Sequence, residues 1–596
     1  MDIGFSAGPR PGGPNRSTNG CWTCRLRRKK CDEKQPVCDT CATLLITCHN
    51  GQEKPDWMDG GARQDAMAEQ LKREVKLKAH LRLRQWERQI PGDAGSADSR
   101  NGGQDIGPEP PGLASQQKAD CTQLPDDSRG GIPFGRSDTV LLMFYLENVL
   151  PFLFPFYRPS PLEGGKSWIL ELMFSSPVVR QATLAQTSYF FSVARRSVSC
   201  GVIWDTMLAQ TKEVFDTLRQ SLDVINASNV AEHLHGAVRI LASIMQVQRF
   251  EVAVLSLDNC RAHLTAALAL FGQLLSSSGS ENGAAAAQTE ARTLFNSVVD
   301  RLGPPTWVLP DGCARFPTAE QAAFRFSSAL LIFDDIIAST ALQQRPTLYE
   351  YHDSLLGGTE DAKPVVDLEA VVGCHNCVLR LVGEVAVLDA WKQQSRRAGT
   401  LDVMELVRRA TVIKDALDEY LDLLARRPAA AGAHEDDSDL LDIFKTDYWQ
   451  QQQARPTQSA SQTTATAVTR VWIHAASLYL SVVVSGWQPA GAEVRHHVAR
   501  VLELVAGGGG GEISPPAMLR TVVWPFCVAG CLAEAAQEPV FRGLVAGLRP
   551  LSVFGTLRKA LDVMENVWRA RGTPGDSVMR DLAVCFRSEG DLVLLV

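Results

Sequence analysis

From Ser137 onward, apolar residues recur at three- and four-residue intervals for more than 450 residues. FRFSSALLIFDDIIASTALQQ (324–344), LEAVVGCHNCVLRLVGEVAVLDAW (368–391), AVTRVWIHAASLYLSVVVSGW (467–487) and LRKALDVMENVWRA (557–570) all keep that spacing. A period near 3.6 lines apolar side chains along one helix face, whereas a half-buried strand alternates every second residue. Few segments alternate, so the pattern predicts a mostly α chain with a large all-α domain over 137–596. Low-complexity inserts such as SSSGSENGAAAA and RRPAAAGAHEDDSD interrupt it and belong on the surface. The apolar run VLLMFYLENVLPFLFPF (140–156) is broken by Glu147, Asn148, Pro151 and Pro155. A membrane span needs about 20 apolar residues. The run therefore predicts a buried helix that stops at Pro151, and no membrane partner is expected.

Ahead of this body the pattern changes. Residues 91–136 are rich in Gly, Pro, Asp and Ser and predict a disordered tether. Residues 64–90 read as a basic helix with seven cations against four acids. Its apolar positions, Met67, Leu71, Val75, Ala79 and Leu83, recur every four residues and drift off a heptad seam. It is a weak candidate for a homodimer-forming helix. Residues 49–63 form a linker, and residues 1–20 a disordered N-terminus without the apolar stretch of a secretory signal.

Charge sharpens the division. The 596 residues are 45% hydrophobic and 21% charged, as in ordinary globular proteins, with a net charge of −7. Residues 1–90 hold 17 Lys and Arg against 11 Asp and Glu, a net of +6, which leaves −13 on the rest. A basic head on an acidic body points the head toward a polyanion.

The chemistry of that head lies in its cysteines. Six of the 15 in the chain, Cys21, Cys24, Cys31, Cys38, Cys41 and Cys48, repeat the unit Cys-x2-Cys-x6-Cys. A Cys-x2-Cys pair can place two thiolates on one tetrahedral zinc, and two pairs argue for two metals. Two tetrahedral ions need about eight ligand positions, so either two thiolates bridge the ions or other groups fill in. His49 is the only nearby histidine, and the seven ligands it would complete disfavour cross-brace modules such as RING or LIM. With only Val37, Leu44, Leu45 and Ile46 to bury, the segment depends on metal to fold. Between Cys24 and Cys31 stand five cations, Arg25, Arg27, Arg28, Lys29 and Lys30.

The stretch GCWTCRLRRKKCDEKQPVCDTCATLLITC resembles the fungal binuclear zinc-cluster (Zn2Cys6) transcription factors throughout. That resemblance implies two Zn2+ bridged by Cys21 and Cys38, one completed by Cys24 and Cys31 and the other by Cys41 and Cys48. It implies two short helices joined by a loop holding Pro36. It also implies double-stranded DNA as partner, read at CGG-type half-sites, with Arg27 and Arg28 on base edges. An Arg fork suits the two acceptors of guanine. Arg25, Lys29 and Lys30 would hold phosphates. The same basic run suits a nuclear-localisation patch, consistent with a protein of the nucleus. Thiolates, zincs and acids leave the module at only +1, so affinity depends on where the cations sit rather than on net charge. The body phrases FLFPFYRPSPLEGGKSWILELM, FDDIIASTALQQRPTLYEYHDSLL, LRTVVWPFCVAGCLAE and VFGTLRKALDVMENVW resemble fungal-specific transcription factor domain 2. That implies a helical regulatory domain that addresses the transcription machinery and holds an effector site, without a catalytic role. The alternative is a zinc-dependent protein-interaction module that does not read DNA.

Other motifs carry less. GFSAG (4–8) matches a hydrolase elbow in spacing, but a Gly/Pro-rich context offers neither the strand nor the helix that the elbow needs. CHNC (374–377) falls mid-helix in an apolar run and has no second pair, so it reads as structural. Cys527 and Cys531 read as buried thiols. The run HEDDSDLLDIFKTDYW (434–449) mixes acids and aromatics as an activation segment does, and reads as a solvated loop entering a helix. No dinucleotide loop, Walker loop or His-Glu-x-x-His is present, and no enzyme is expected.

Overall fold

A computed structural model describes residues 20–77, 135–195, 233–254, 260–277, 287–307, 315–358, 364–426, 458–506, 516–548, 554–571 and 581–596, apart from positions 28, 30, 36, 45, 52, 53, 162, 163, 305, 589, 590 and 593. Arg28, Lys30, Pro36, the GFSAG motif, the acidic run 434–449 and most of the tether lie outside the described residues. The chain forms two compact units, the first ending at Leu124 and the second starting at Pro125.

The first unit contains three helices among its described residues: α1 (Trp22–Leu26), α2 (Asp39–Thr43) and α3 (Ala62–Leu77). The last covers the first half of the helix expected over 64–90; the remainder falls outside the described residues.

The second unit is built from helices, as the 3.6-residue period predicts. Its helices include α4 (Pro177–Ala194), α5 (Leu234–Val254), α6 (Ala319–Leu342), α7 (Asn376–Arg397), α8 (Val403–Arg426), α9 (Gln458–Ser485), α10 (Ala492–Ala506), α11 (Val523–Leu532) and α12 (Gly555–Arg569). Two short antiparallel pairs, Thr306–Trp307 with Arg315–Phe316 and Arg587–Ser588 with Asp591–Leu592, were not foreseen. Pairs of two residues are too short to leave a period-two pattern.

Helix α6 is the axis of the body. It opens on a capping box, with the Thr318 hydroxyl accepting from the Gln321 amide while the Gln321 side chain accepts from the Thr318 amide. It packs against α5, α7 and Ser167–Ser175, and nearly all of it is buried. Helix α9 forms a second centre, contacting α7, α8, α10 and α11. Its stretch Thr464–Ser485 is apolar and long enough to cross a membrane by composition, yet most of it is buried inside this unit, where it serves as a core helix. Trp472 of α9 stacks on Trp524 of α11 at 5.5 Å and 6°, and the Trp524 indole donates to the Thr340 hydroxyl of α6 at 2.9 Å. One aromatic pair thus ties three helices together. Buried Asp334 accepts from Gln248 at 2.9 Å and pairs with Arg249, and buried Asp335 accepts from the Leu348 amide at 2.8 Å. A polar group inside a core is tolerated when it is partnered in this way.

Two expectations are corrected. The 140–156 run does not stop at Pro151. Arg136–Phe144 passes into a π turn at Tyr145–Val149 and then into Leu150–Leu153, with Pro151 in the first turn of that last piece. The π turn ahead of it shifts the hydrogen-bond pattern, so the helix runs on past a proline. The Leu150 amide meets the Tyr145 carbonyl, and the helix ends at Phe154, before Pro155. Second, CHNC is not mid-helix. The helix Glu369–Val372 ends at Gly373, whose φ of +80° is left-handed, and His375 caps the start of α7. A side chain at 373 would meet the Phe156 ring at 2.2 Å, so glycine is required on two counts. His375 bonds the Tyr420 hydroxyl at 2.5 Å and faces Glu369 at 3.3 Å. Cys374 is fully buried, and burial raises its pKa, which fits the structural reading. Cys527 and Cys531 are buried in α11, as expected.

Candidate metal centre and nucleic-acid interface

The cysteine spacing acts first through helix geometry. Cys21 caps α1 and its Sγ accepts from the Cys24 amide at 3.4 Å; Cys38 caps α2 and accepts from the Cys41 amide at 3.4 Å. The cap and the third residue of a helix share one turn, so each Cys-x2-Cys presents two sulfurs side by side. Five-residue helices have little stability of their own. Cys31 joins through its Sγ, which accepts from the Cys21 and Glu33 amides at 3.4 Å. Gly20 lets Cys31 approach, because a Cβ at position 20 would lie 2.9 Å from the Cys31 Cβ.

The sulfurs gather into two groups: Cys21, Cys24, Cys31 and Cys38, and Cys21, Cys38, Cys41 and Cys48. Within each, the ligand atoms lie within 4.8 Å of one another. Cys21 and Cys38 belong to both. The Sγ separations include 3.7 Å for Cys21–Cys38, 3.6 Å for Cys24–Cys38, 3.8 Å for Cys21–Cys41 and 3.9 Å for Cys38–Cys48. A tetrahedron with Zn–S of about 2.3 Å has edges of about 3.8 Å. These spacings therefore fit tetrahedral zinc and far exceed a disulfide bond. Burial raises the pKa of Cys21, Cys24 and Cys41, Cys24 to about 11. Thiols packed this closely become thiolates when a cation holds them.

Other residues complete the scaffold. The Trp22 amide donates to the His49 carbonyl at 2.8 Å, and its indole donates to the Gly51 carbonyl at 2.9 Å. The Thr23 hydroxyl donates to the Thr47 carbonyl at 2.9 Å and accepts from the His49 amide at 3.0 Å. His49 Nδ1 lies 3.1 Å from that hydroxyl, and its ring meets Trp57 edge-on at 5.2 Å. His49 thus pins the end of the module to α1 and belongs to neither sulfur group. Trp22, Thr23 and Trp57 were not picked out from sequence, since they lack metal-ligating chemistry.

The cations sit on α1 and its exit. Arg25 is exposed, its guanidinium 4.1 Å over the Trp22 ring. Arg27 is half-buried, and its Nη1 is enclosed without a hydrogen-bond partner. Lys29 is exposed, with its amide bonded to the Cys24 carbonyl at 3.0 Å. The thiol scaffold thus fixes the backbone from which these side chains extend. At the start of α2, the Asp39 amide donates to the Asp32 carboxylate at 3.1 Å, and Lys34 pairs with Asp39 at 2.5 Å, so Lys34 is already engaged.

A family model described as fungal specific transcription factor domain matches residues 140–588. One described as fungal Zn(2)-Cys(6) binuclear cluster domain matches residues 19–57, through Trp57. The chain is 32% identical over 645 residues to transcription factor dibT of Pestalotiopsis microspora, covering 97% of this chain and 99% of that one. It is 27% identical over 597 residues to pestheic acid cluster transcriptional regulator 3 of Pestalotiopsis fici (96% and 97%). It is 23% identical over 601 residues to ustiloxin B cluster transcription factor ustR of Aspergillus flavus (94% and 95%). No solved structure matches. With the sulfur geometry of the first unit and the helical build of the second, the chain belongs to the fungal Zn(2)-Cys(6) transcription factors that carry a fungal specific transcription factor domain.

Proposed function

We propose that this DNA-binding transcription factor carries two zinc ions, bridged by Cys21 and Cys38, and reads CGG-type half-sites in the nucleus to control RNA polymerase II transcription of a secondary-metabolite gene set. The observation that carries the reading is the pair of overlapping sulfur tetrads beside α1, which would aim Arg27 and Arg28 at base edges. Arg25, Lys29 and Lys30 would grip the backbone. The choice of gene set rests on relatives named as regulators of the pestheic acid and ustiloxin B clusters. The role is binding rather than catalysis.

Selection of full-length protein on randomised duplexes tests this. CGG-containing sites should be enriched. Arg27→Ala should flatten the preference at one base position by about 1–3 kcal/mol, roughly 5- to 150-fold. Lys30→Ala should weaken binding to all sequences alike and lower the salt slope by about 0.9. Equal losses from Arg27→Ala on cognate and scrambled DNA would reject this division of labour. Zinc-dependent folding with no DNA enrichment at all would favour a protein-interaction module instead.

A further inference from the structure

A cavity in the helical body contains an unpaired cation. Its walls come from segments far apart in sequence: the end of the Leu150–Leu153 helix, α5, α6, Val371 and Val372, the 3-10 turn Pro516–Val522, the start of α12, and Val596. About 70 Å³ of it is open to the centres of water molecules, enough for several waters or a compact organic molecule. Most of the lining is carbon, including Phe154, Leu330 and Phe333.

Two arginines interrupt that apolar wall. Arg249 is nine-tenths buried; it pairs with Asp334, yet its Nε is enclosed without a partner. Arg520 is different. Among the described residues it makes no hydrogen bond and no ion pair, and its half-buried side chain lies with the guanidinium 4.2 Å from the centre of the Phe152 ring. Burial alone lowers its pKa to about 9, with no carboxylate offsetting the cost. Asp334 balances Arg249, whereas no Asp or Glu side chain among the described lining residues faces Arg520. Beside it begins the 15-residue helix α12, whose N-cap Phe554 supplies no side-chain cap and whose buried Thr556 lines the same cavity. The first turn of a helix carries unpaired amides and a partial positive charge. Charge and helix end both favour an anion, and a single unpaired cation matches a monoanion.

We propose that this cavity binds a small organic acid, with its carboxylate at Arg520 beside the first turn of α12 and its apolar body against Phe154, Leu330 and Phe333. An acid seated there would bridge segments that line the cavity from several sides. Its occupancy would therefore set how firmly the 3-10 turn and α12 are held to α5 and α6. The inference does not depend on the DNA reading, because binding is measured without DNA.

Benzoate serves as the probe, with benzamide as its neutral equivalent and inorganic phosphate as an anion without an apolar body. At about 10 mM, a ligand that binds only the folded state raises the melting temperature saturably. The full-length protein should respond to benzoate and not to benzamide or phosphate, by melting and by calorimetric titration. Arg520→Gln should weaken benzoate binding roughly tenfold or more, since a charge-assisted contact is lost. Ala253→Leu, which narrows the cavity and leaves the cation in place, should abolish binding as well, and it decides the matter if Arg520→Gln does not fold. The proposal is overturned if wild type binds no benzoate, if benzamide or phosphate binds as tightly, or if either folded variant binds benzoate undiminished.

Discussion

The two units of this chain are held together by different chemistry. The buried cluster of the head is Cys21, Cys24, Cys38, Cys41 and Ile46, so sulfur replaces hydrocarbon as the core. The body buries a continuous apolar core that runs from Leu142 to Leu595, with the Trp472–Trp524 stack near its middle. A segment as short as the head cannot bury enough apolar surface to offset its chain entropy, and metal ligation supplies what packing cannot. The body has ample surface to bury. What such a fold requires instead is partners for the few polar groups it encloses, as Asp334, Asp335 and Glu320 have in Arg249, the Leu348 amide and Arg239. The lesson is that the two units should fail under different insults.

The largest separation is expected from Cys38→Ser, which removes a ligand common to both sulfur groups. Structural zinc contributes about 10–16 kcal/mol to folding of small modules. DNA binding should fall beyond detection by gel shift while the body melts at its wild-type temperature. The reverse case is Trp524→Ala, which leaves a void beside Trp472 and frees the Thr340 hydroxyl. It should cost the body about 3–5 kcal/mol, read by denaturant unfolding, with the DNA affinity of the head unchanged. A loss of DNA affinity in step with body stability would collapse the distinction.

A comparable effect, spread over two residues, comes from pH. His474 and His497 bring their Nδ1 atoms within 3.0 Å inside the α9–α10 contact. Burial, aided by neighbouring cationic and imidazole groups, lowers the pKa of His474 to about 3 and that of His497 to about 4. The folded state thus keeps both neutral, while the unfolded chain takes up protons below about 6.5. Their contribution is complete above pH 6.5 and is lost as pH falls toward 4. Between pH 7 and pH 5 the body should lose about 2 kcal/mol for each of the two histidines. In His497→Gln the melting temperature should vary less over that interval; an unchanged pH profile would refute the assignment.

Sequence carried the repeating cysteines and the long helices, because both depend on local spacing. Cys-x2-Cys places two sulfurs on one helical turn whatever surrounds it, and Thr318 with Gln321 marks the start of α6 three residues apart. The errors arose where tertiary contacts decide. Pro151 reads as a stop, but a π turn accommodates the chain ahead of it. Gly373 sits inside an apolar run that looks continuous, and only the approach of Phe156 reveals the break before α7. His49 counts as a metal-ligand type by composition, yet Thr23 claims it. Arg520 looks like any surface arginine in the sequence. Its place in a cavity becomes visible only when several distant segments are brought together.

Titrating the full-length protein with a zinc chelator tests the central claim most directly, with zinc release, DNA binding and thermal unfolding of the body followed together. Two zincs should be released per chain, DNA binding should be lost in proportion, and helix content and melting of the body should stay unchanged. DNA binding that persists in metal-free protein, or a body that unfolds as the zinc leaves, would contradict it.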